Sequence, residues 1–208
     1  MNTEKELPIR VVGICGSLRA SSCTRMAVNI ALSGAKEVGA QTELIDLRQY
    51  QLIFCGEVED EKDYPPDVFR LCEKVKSAQG IILGTPEYHG SFSGVLKNAM
   101  DLMGFDEFEG KVLGLIGVSG GRMGAINALS ALQTVGRQLH AWVIPQQASI
   151  PQTSLAFDEA GNLRDKALEA RVLEVGRQVA RFAYLHSSEK VKEFLRLWET
   201  APVNPGGE

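Results

Sequence analysis

Short runs of apolar, β-branched residues alternate along this chain with longer stretches in which apolar positions recur at helical spacing, the two periods that separate buried strands from amphipathic helices. Strands are predicted over residues 9–15, 42–46, 80–85, 111–118 and 141–144, and helices over 24–38, 67–77, 93–103, 123–139 and 164–185, with a shorter one over 189–199. Regular alternation of the two kinds predicts a parallel sheet covered by helices. The runs at 9–15, 80–85 and 111–118 are almost wholly apolar, as strands buried on both faces are, and therefore belong at the centre of the sheet.

Right-handed crossovers and a five-strand count fit an α/β, flavodoxin-like three-layer sandwich: five parallel strands in the order 2-1-3-4-5, with helices on both faces. With 208 residues the chain has room for one large domain, expected over residues 1–200, followed by a flexible tail at 201–208 that carries two prolines and two glycines. The acidic segment 57–63, ahead of Tyr64, Pro65 and Pro66, reads as a solvated connection. In the terminal helix Val191, Phe194, Leu195 and Trp198 form one apolar stripe, suited to packing on its own domain or on another subunit.

Composition removes several function classes. Lys and Arg total 22 against 26 Asp and Glu, a net charge of −4, so no basic field exists to hold a nucleic-acid backbone. The apolar run 112–118 is far short of the roughly 20 residues that span a bilayer, which argues against a membrane partner. The first ten residues lack the apolar centre of a signal peptide, and Cys15, Cys23, Cys55 and Cys72 match neither a C-x-x-C nor a zinc spacing. The expectation is a cytoplasmic protein with reduced thiols and no metal. Cys15 and Cys23 read as core or loop residues, Trp142 and Trp198 as packing residues with cover of an interface as the alternative, and His140 and His186 have no acidic or thiol partner at metal spacing.

Candidate chemistry sits where open α/β sheets bind ligands, beyond the carboxyl ends of the strands. After the first strand come Gly16, Ser17, Leu18, Arg19, Ala20, Ser21, Ser22, Cys23 and Thr24, a hydroxyl-rich turn at a helix start. Free amides and the helix dipole favour an anion there; Ser17, Ser22 and Thr24 offer hydroxyls and Arg19 a charge-assisted pair, an arrangement suited to a terminal phosphate monoester. The same residues also serve as ordinary caps of a strand-to-helix turn. Neither the G-x-G-x-x-G fingerprint nor a P-loop lysine is present. After the third strand stand Pro86, which should end the ladder, then Glu87, Tyr88, His89 and Gly90, a loop able to lie against a flat ring or to form a simple turn. After the fourth, Ser119, Gly120, Gly121 and Arg122 could cradle a polar ring edge or merely permit close helix packing.

The motifs G-S-L-R-x-x-S at residues 16–22 and P-E-Y-x-x-S with a following G-x-L-K-N-A-x-D at 86–101 resemble the NADPH-dependent FMN reductase family, a branch of the flavodoxin-like flavoproteins, over about residues 9–185. The resemblance implies that Ser17, Arg19, Ser22 and Thr24, with the backbone at Cys23, hold the FMN phosphate. It implies further that Pro86, Glu87, Tyr88 and His89 border the isoalloxazine and that Ser119, Gly120, Gly121 and Arg122 close its other polar edge. Arg122 reads alternatively as a contact for the nicotinamide phosphate or as an exposed surface arginine. Members of the family often carry Asn where this chain has His89. The implied activity is transfer of a hydride from NADPH or NADH to bound FMN, then of two electrons to a small-molecule acceptor such as a quinone, flavin, azo compound or nitroaromatic. No catalytic side chain is needed, because the flavin carries the chemistry. A homodimer or homotetramer is implied as well. Two rivals share fold and cofactor, a flavodoxin-type electron carrier and a non-catalytic FMN-binding regulatory protein. A phosphatase is opposed by the lack of a C-x₅-R loop.

Overall fold

The computed structural model describes residues 8–188 together with Val191, Glu193, Arg196, Leu197 and Thr200. Five parallel strands, β1 (Arg10–Cys15), β2 (Gln41–Asp46), β3 (Gly80–Tyr88), β5 (Val112–Val118) and β6 (Trp142–Ile150), lie in the order β2-β1-β3-β5-β6. A two-residue strand, β4 (Ser91–Phe92), folds back antiparallel on the end of β3. Leaving out this unforeseen β4, the parallel strands follow the expected flavodoxin-like order.

Helices α1 (Cys23–Glu37) and α7 (Lys166–Ser187) cover one face; α2 (Pro66–Lys76), α3 (Gly94–Asp101), α4 (Phe105–Phe108) and α5 (Ile126–Gln138) cover the other, and the short α6 (Thr153–Ala156) follows β6. The pleat sends Val11 and Ile82 into the α1/α7 core and Val12, Ile81 and Leu83 into the opposite one. The central strands β1, β3 and β5 are buried along most of their length, as their apolar runs require.

Close approach on the α1/α7 face depends on missing side chains. A β-carbon at Gly84 would strike Val28 and Thr24, so α1 rests directly on the sheet beside the carboxyl ends of the strands. Where α1 crosses α7, a β-carbon at Gly34 or Gly176 would overlap the backbone of the facing helix.

Three boundaries differ from the sequence reading for identifiable reasons. Pro86 does not end the ladder: β3 runs on to Tyr88, and Pro86 pairs with Val118. Strand β6 extends well past Ile144 because a register irregularity opposite Leu113 to Leu115 absorbs Ile144, Pro145 and Gln146, and the pairing resumes at Gln147. Helix α5 begins at Ile126, leaving Met123 80% exposed in the preceding loop.

One placement also departs from it: Trp142, read as a packing residue, is 60% exposed and lies against the His186 ring at 5.2 Å between centroids. His140 Nδ1 lies 3.1 Å from Glu109 Oε1, a single contact between residues 31 apart in sequence. All four cysteines are free. Most of the predicted helix 189–199, including Phe194, Leu195 and Trp198 of its stripe, and the tail 201–208 lie outside the described residues.

Candidate functional site

Three loops meet at the carboxyl end of the sheet. The first leaves β1 at Gly16, whose N–H donates to the Gly84 carbonyl at 2.8 Å and whose own carbonyl accepts from Ser93 Oγ at 2.6 Å. Ser93 is buried, and its hydroxyl oxygen accepts from Leu96 N at 3.2 Å, capping α3. Its own N–H donates to Thr85 Oγ1 at 2.9 Å. One serine thus joins the loop after β1 to the loop after β3. Asn98, on α3, holds the long connection after β2 by donating to Ile53 O at 2.8 Å and accepting from Cys55 N at 3.1 Å.

Ser22 is the N-cap of α1, its hydroxyl accepting from Arg25 N at 3.2 Å, and Ser17 Oγ accepts from Arg19 N at 3.4 Å. Ser17, Ser22 and Thr24 are buried. Beneath them Cys15 Sγ donates to Ser17 O at 3.8 Å; burial pushes this thiol above its ordinary range despite that bond.

At the end of β3 the chain reverses through His89 (φ 51°) and Gly90 (φ 77°), with Tyr88 paired to Ser91. Two consecutive left-handed residues are what a two-residue type I′ hairpin turn demands. Asn-Gly is the common solution, and histidine also enters this region more readily than most side chains. This accounts for His89 standing where Asn is frequent. Glu87 reaches across to α5, its Oε2 accepting from Ala128 N at 3.0 Å. Helix α5 has no side-chain cap from Ala125, so a carboxylate from β3 satisfies its first turn and complements its dipole. The third loop is tied by Ser119 N to Ile150 O (2.9 Å) and by Thr153 N to Ser119 O (3.1 Å), which brings the segment after β6 against it.

The result is a cleft of about 260 Å³ lined by Ser17, Arg19, Ser21, Ser22, Cys23, Thr24, Pro86, Glu87, Tyr88, Val118, Ser119, Gly120 and Thr153. Of the residues singled out in the sequence, His89, Gly121 and Arg122 stand outside this lining, His89 at the hairpin turn and Gly121 and Arg122 exposed beyond it. Arg19 lies over the Tyr88 ring, 6.0 Å from guanidinium carbon to centroid.

Ser21, Val118 and Thr153 were missed. Ser21 belongs to the hydroxyl-rich run itself, whereas Thr153 comes within reach only because β6 continues to Ile150. Also unforeseen are Arg25 and Asp46, which support the first loop from behind. The available signal was a cation in the opening turn of α1, where the helix dipole disfavours one.

The donor set fits a phosphate monoester. Among the described residues the backbone N–H groups of Ala20, Ser21 and Ser22 meet no acceptor, and they stand beside buried hydroxyls, one guanidinium and the amino end of a 15-residue helix. A wider groove of about 700 Å³, between Pro8, Ile9, Ala40 and α7, lies at the opposite end of the sheet; its cations, Arg177 and Arg181, stand in the body of a helix beside Glu174 rather than at a helix amino end. Among the described residues no group of three or more His, Cys, Asp or Glu is placed to hold a metal ion, and no helix is long and apolar enough to cross a membrane.

Comparison with known proteins agrees with this geometry. A family model of NADPH-dependent FMN reductases matches residues 9–154. An FMN-dependent NADPH-azoreductase of Staphylococcus aureus (strain USA300) is 33% identical over 184 residues, covering 86% of this chain and 97% of its own. Among solved structures, the flavoenzyme NAD(P)H:(acceptor) oxidoreductase from Paracoccus denitrificans superposes with a TM-score of 0.71 at 21% identity, over 86% of this chain and 99% of that one. An apo NADH:FMN oxidoreductase gives 0.67 at 20% identity, over 88% and 93%. These two structures share the fold.

Proposed function

The chain belongs to the NADPH-dependent FMN reductase family, and from that premise we propose that its cleft binds FMN by the phosphate and serves a reductase whose final acceptor is a small planar aromatic, a quinone or an azo compound. The family's cofactor is FMN and its electron donor NADPH. The observation that carries the reading is the meeting of an unsatisfied, hydroxyl-lined anion nest with an exposed aromatic wall in one cleft.

When bound, FMN supplies the hydride chemistry, accepting two electrons from the nicotinamide and passing them to the acceptor. The protein binds and orients. In this reading Ser17, Arg19, Ser21, Ser22 and Thr24, with the backbone at Cys23, hold the phosphate. Pro86 and Tyr88 border the ring on one side and Ser119 and Gly120 on the other. Glu87 shapes that wall through its bond to α5. His89, Gly121 and Arg122 receive no contact in this assignment. Tyr88, 43% exposed in the lining of the cleft, leaves an open aromatic approach suited to a flat second substrate. The azoreductase relative supports an azo acceptor.

We place the protein in the cytoplasm as one FMN-binding unit that assembles into a homodimer or homotetramer. Light scattering at micromolar concentration reporting only monomer would exclude this assembly.

The deciding experiment is absorbance of the FMN-reconstituted protein under anaerobic conditions, titrated with NADPH and with NADH and then with a quinone or an azo dye. Bleaching of the flavin band reversed by either acceptor establishes the reductase and ranks its donors. FMN binding without bleaching assigns a carrier instead, and failure to bind FMN removes the site.

A further inference from the structure

Arg25 is the third residue of α1, yet its guanidinium points neither along the helix nor into the cleft. It turns back beneath the loop. Nη2 donates to the carbonyls of Arg19 at 2.8 Å and Ala20 at 3.0 Å, Nη1 donates to Ala20 O at 3.3 Å, and Nε lies 3.4 Å from Asp46 Oδ2. Asp46 closes β2 and is buried. Arg48 holds the same carboxylate, its Nε donating to Oδ1 and Oδ2 at 3.1 Å each and its Nη2 to Oδ2 at 2.7 Å. Burial alone would raise the Asp46 carboxyl; the hydrogen bonds from Arg48 and the charges of Arg25 and Arg48 outweigh it and hold the group ionised below its ordinary range.

A peptide unit is planar and trans, so its carbonyl and the next N–H point in opposite directions. Drawing the Arg19 carbonyl toward Arg25 aims the Ala20 N–H away from it, and drawing the Ala20 carbonyl does the same for Ser21. These are two of the three N–H groups of this turn that meet no acceptor among the described residues, and Ser21 lines the cleft.

We propose that Arg25, anchored on Asp46, is a positioning residue that sets the loop from Arg19 to Ser22 in its anion-receiving form before any ligand arrives, acting through the loop backbone without touching the phosphate. The proposal rests on the reading of this cleft as the FMN phosphate site. It requires a guanidinium, because a rigid planar fork meets two carbonyls and a carboxylate together, whereas an ammonium on a flexible stem does not.

The test is a fluorescence-quenching titration of FMN and, in parallel, of riboflavin, which lacks the phosphate, on the wild type and on Arg25→Lys, Arg25→Ala and Asp46→Asn, with folding checked by circular dichroism. A loop that keeps the receiving form only about a tenth of the time binds about tenfold more weakly. The expected result is therefore an FMN dissociation constant raised about tenfold or more in all three variants, with riboflavin affinity unmoved.

Wild-type FMN affinity in Arg25→Lys would overturn the proposal by showing that charge alone suffices, as would equal weakening of FMN and riboflavin. If the Arg25 variants do not fold, Asp46→Asn carries the same comparison: selective loss of FMN supports the strut, and unchanged FMN affinity rejects it. A wild type that binds FMN no better than riboflavin would instead overturn the phosphate-site reading, and this proposal with it.

Discussion

Replacing Ser93 by alanine removes one oxygen with two duties. Its hydroxyl caps α3 by accepting from Leu96 N and satisfies the Gly16 carbonyl by donating at 2.6 Å, in a place where Ser93 is 2% exposed. Loss of a serine N-cap costs about 1 kcal/mol. A buried carbonyl left without its donor costs a further ~1–3 kcal/mol. The bond from Ser93 N to Thr85 Oγ1 survives, since alanine keeps the amide. The expected loss is therefore about 2–4 kcal/mol of unfolding free energy, or roughly 4–16 °C in Tm for a chain of this size. Urea unfolding followed by circular dichroism should show a lowered midpoint at unchanged slope. FMN titration of the folded variant should show weaker binding, because Gly16 opens the loop proposed to hold the phosphate. A change below about 0.5 kcal/mol, the size of an ordinary surface substitution, would refute the double role assigned to this hydroxyl.

Other expectations follow from single contacts. Gly84→Ala forces a methyl against Val28 and Thr24 under the start of α1, and overpacking of this kind costs about 1–3 kcal/mol, read by thermal melting; an unshifted Tm would show that α1 is not seated as described. Arg19→Ala should weaken FMN binding by roughly tenfold or more through loss of a charged hydrogen bond, and an unchanged dissociation constant would withdraw Arg19 from the phosphate site. His89→Asn should leave FMN affinity unchanged, because the position answers to the hairpin turn; a shift in affinity would place its ring in the cleft. Burial lowers the Lys111 amine to about 8 from the ordinary 10.5, while its Nζ donates to the carbonyls of Val75 and Lys76. The unfolded chain thus holds this proton more tightly between those values, and the contribution of Lys111 to stability rises as pH climbs through that window. Lys111→Met should remove that upward component from urea midpoints measured across the window, and identical slopes in the two proteins would contradict it.

The parallel order of the sheet was legible because doubly covered strands leave an unbroken apolar run, and β1, β3 and β5 each carry one. The loop proposed to hold the phosphate was legible as an anion-binding composition because a hydroxyl-rich strand-to-helix turn concentrates its donors within nine consecutive residues, Gly16 to Thr24. Strand ends were less so. Pro86 punctuates a chain locally yet is accepted in the last rungs of β3, and Pro145 hides the continuation of β6 by falling within the register irregularity.

What the sequence by itself determined, then, is whatever depends on neighbours along the chain: periodicity, the N-cap at Ser22, and the anion-binding composition of the first turn. Only the tertiary structure decided the pairings that close large loops. Thr153 meets Cys23 across 130 positions, Glu87 caps a helix that starts at Ile126, and Asp46 holds Arg25 under a turn it never touches in sequence. Asp46 is buried and the others are half-buried, and which partner each meets is set by the packing of β-strands and helices rather than by any local pattern.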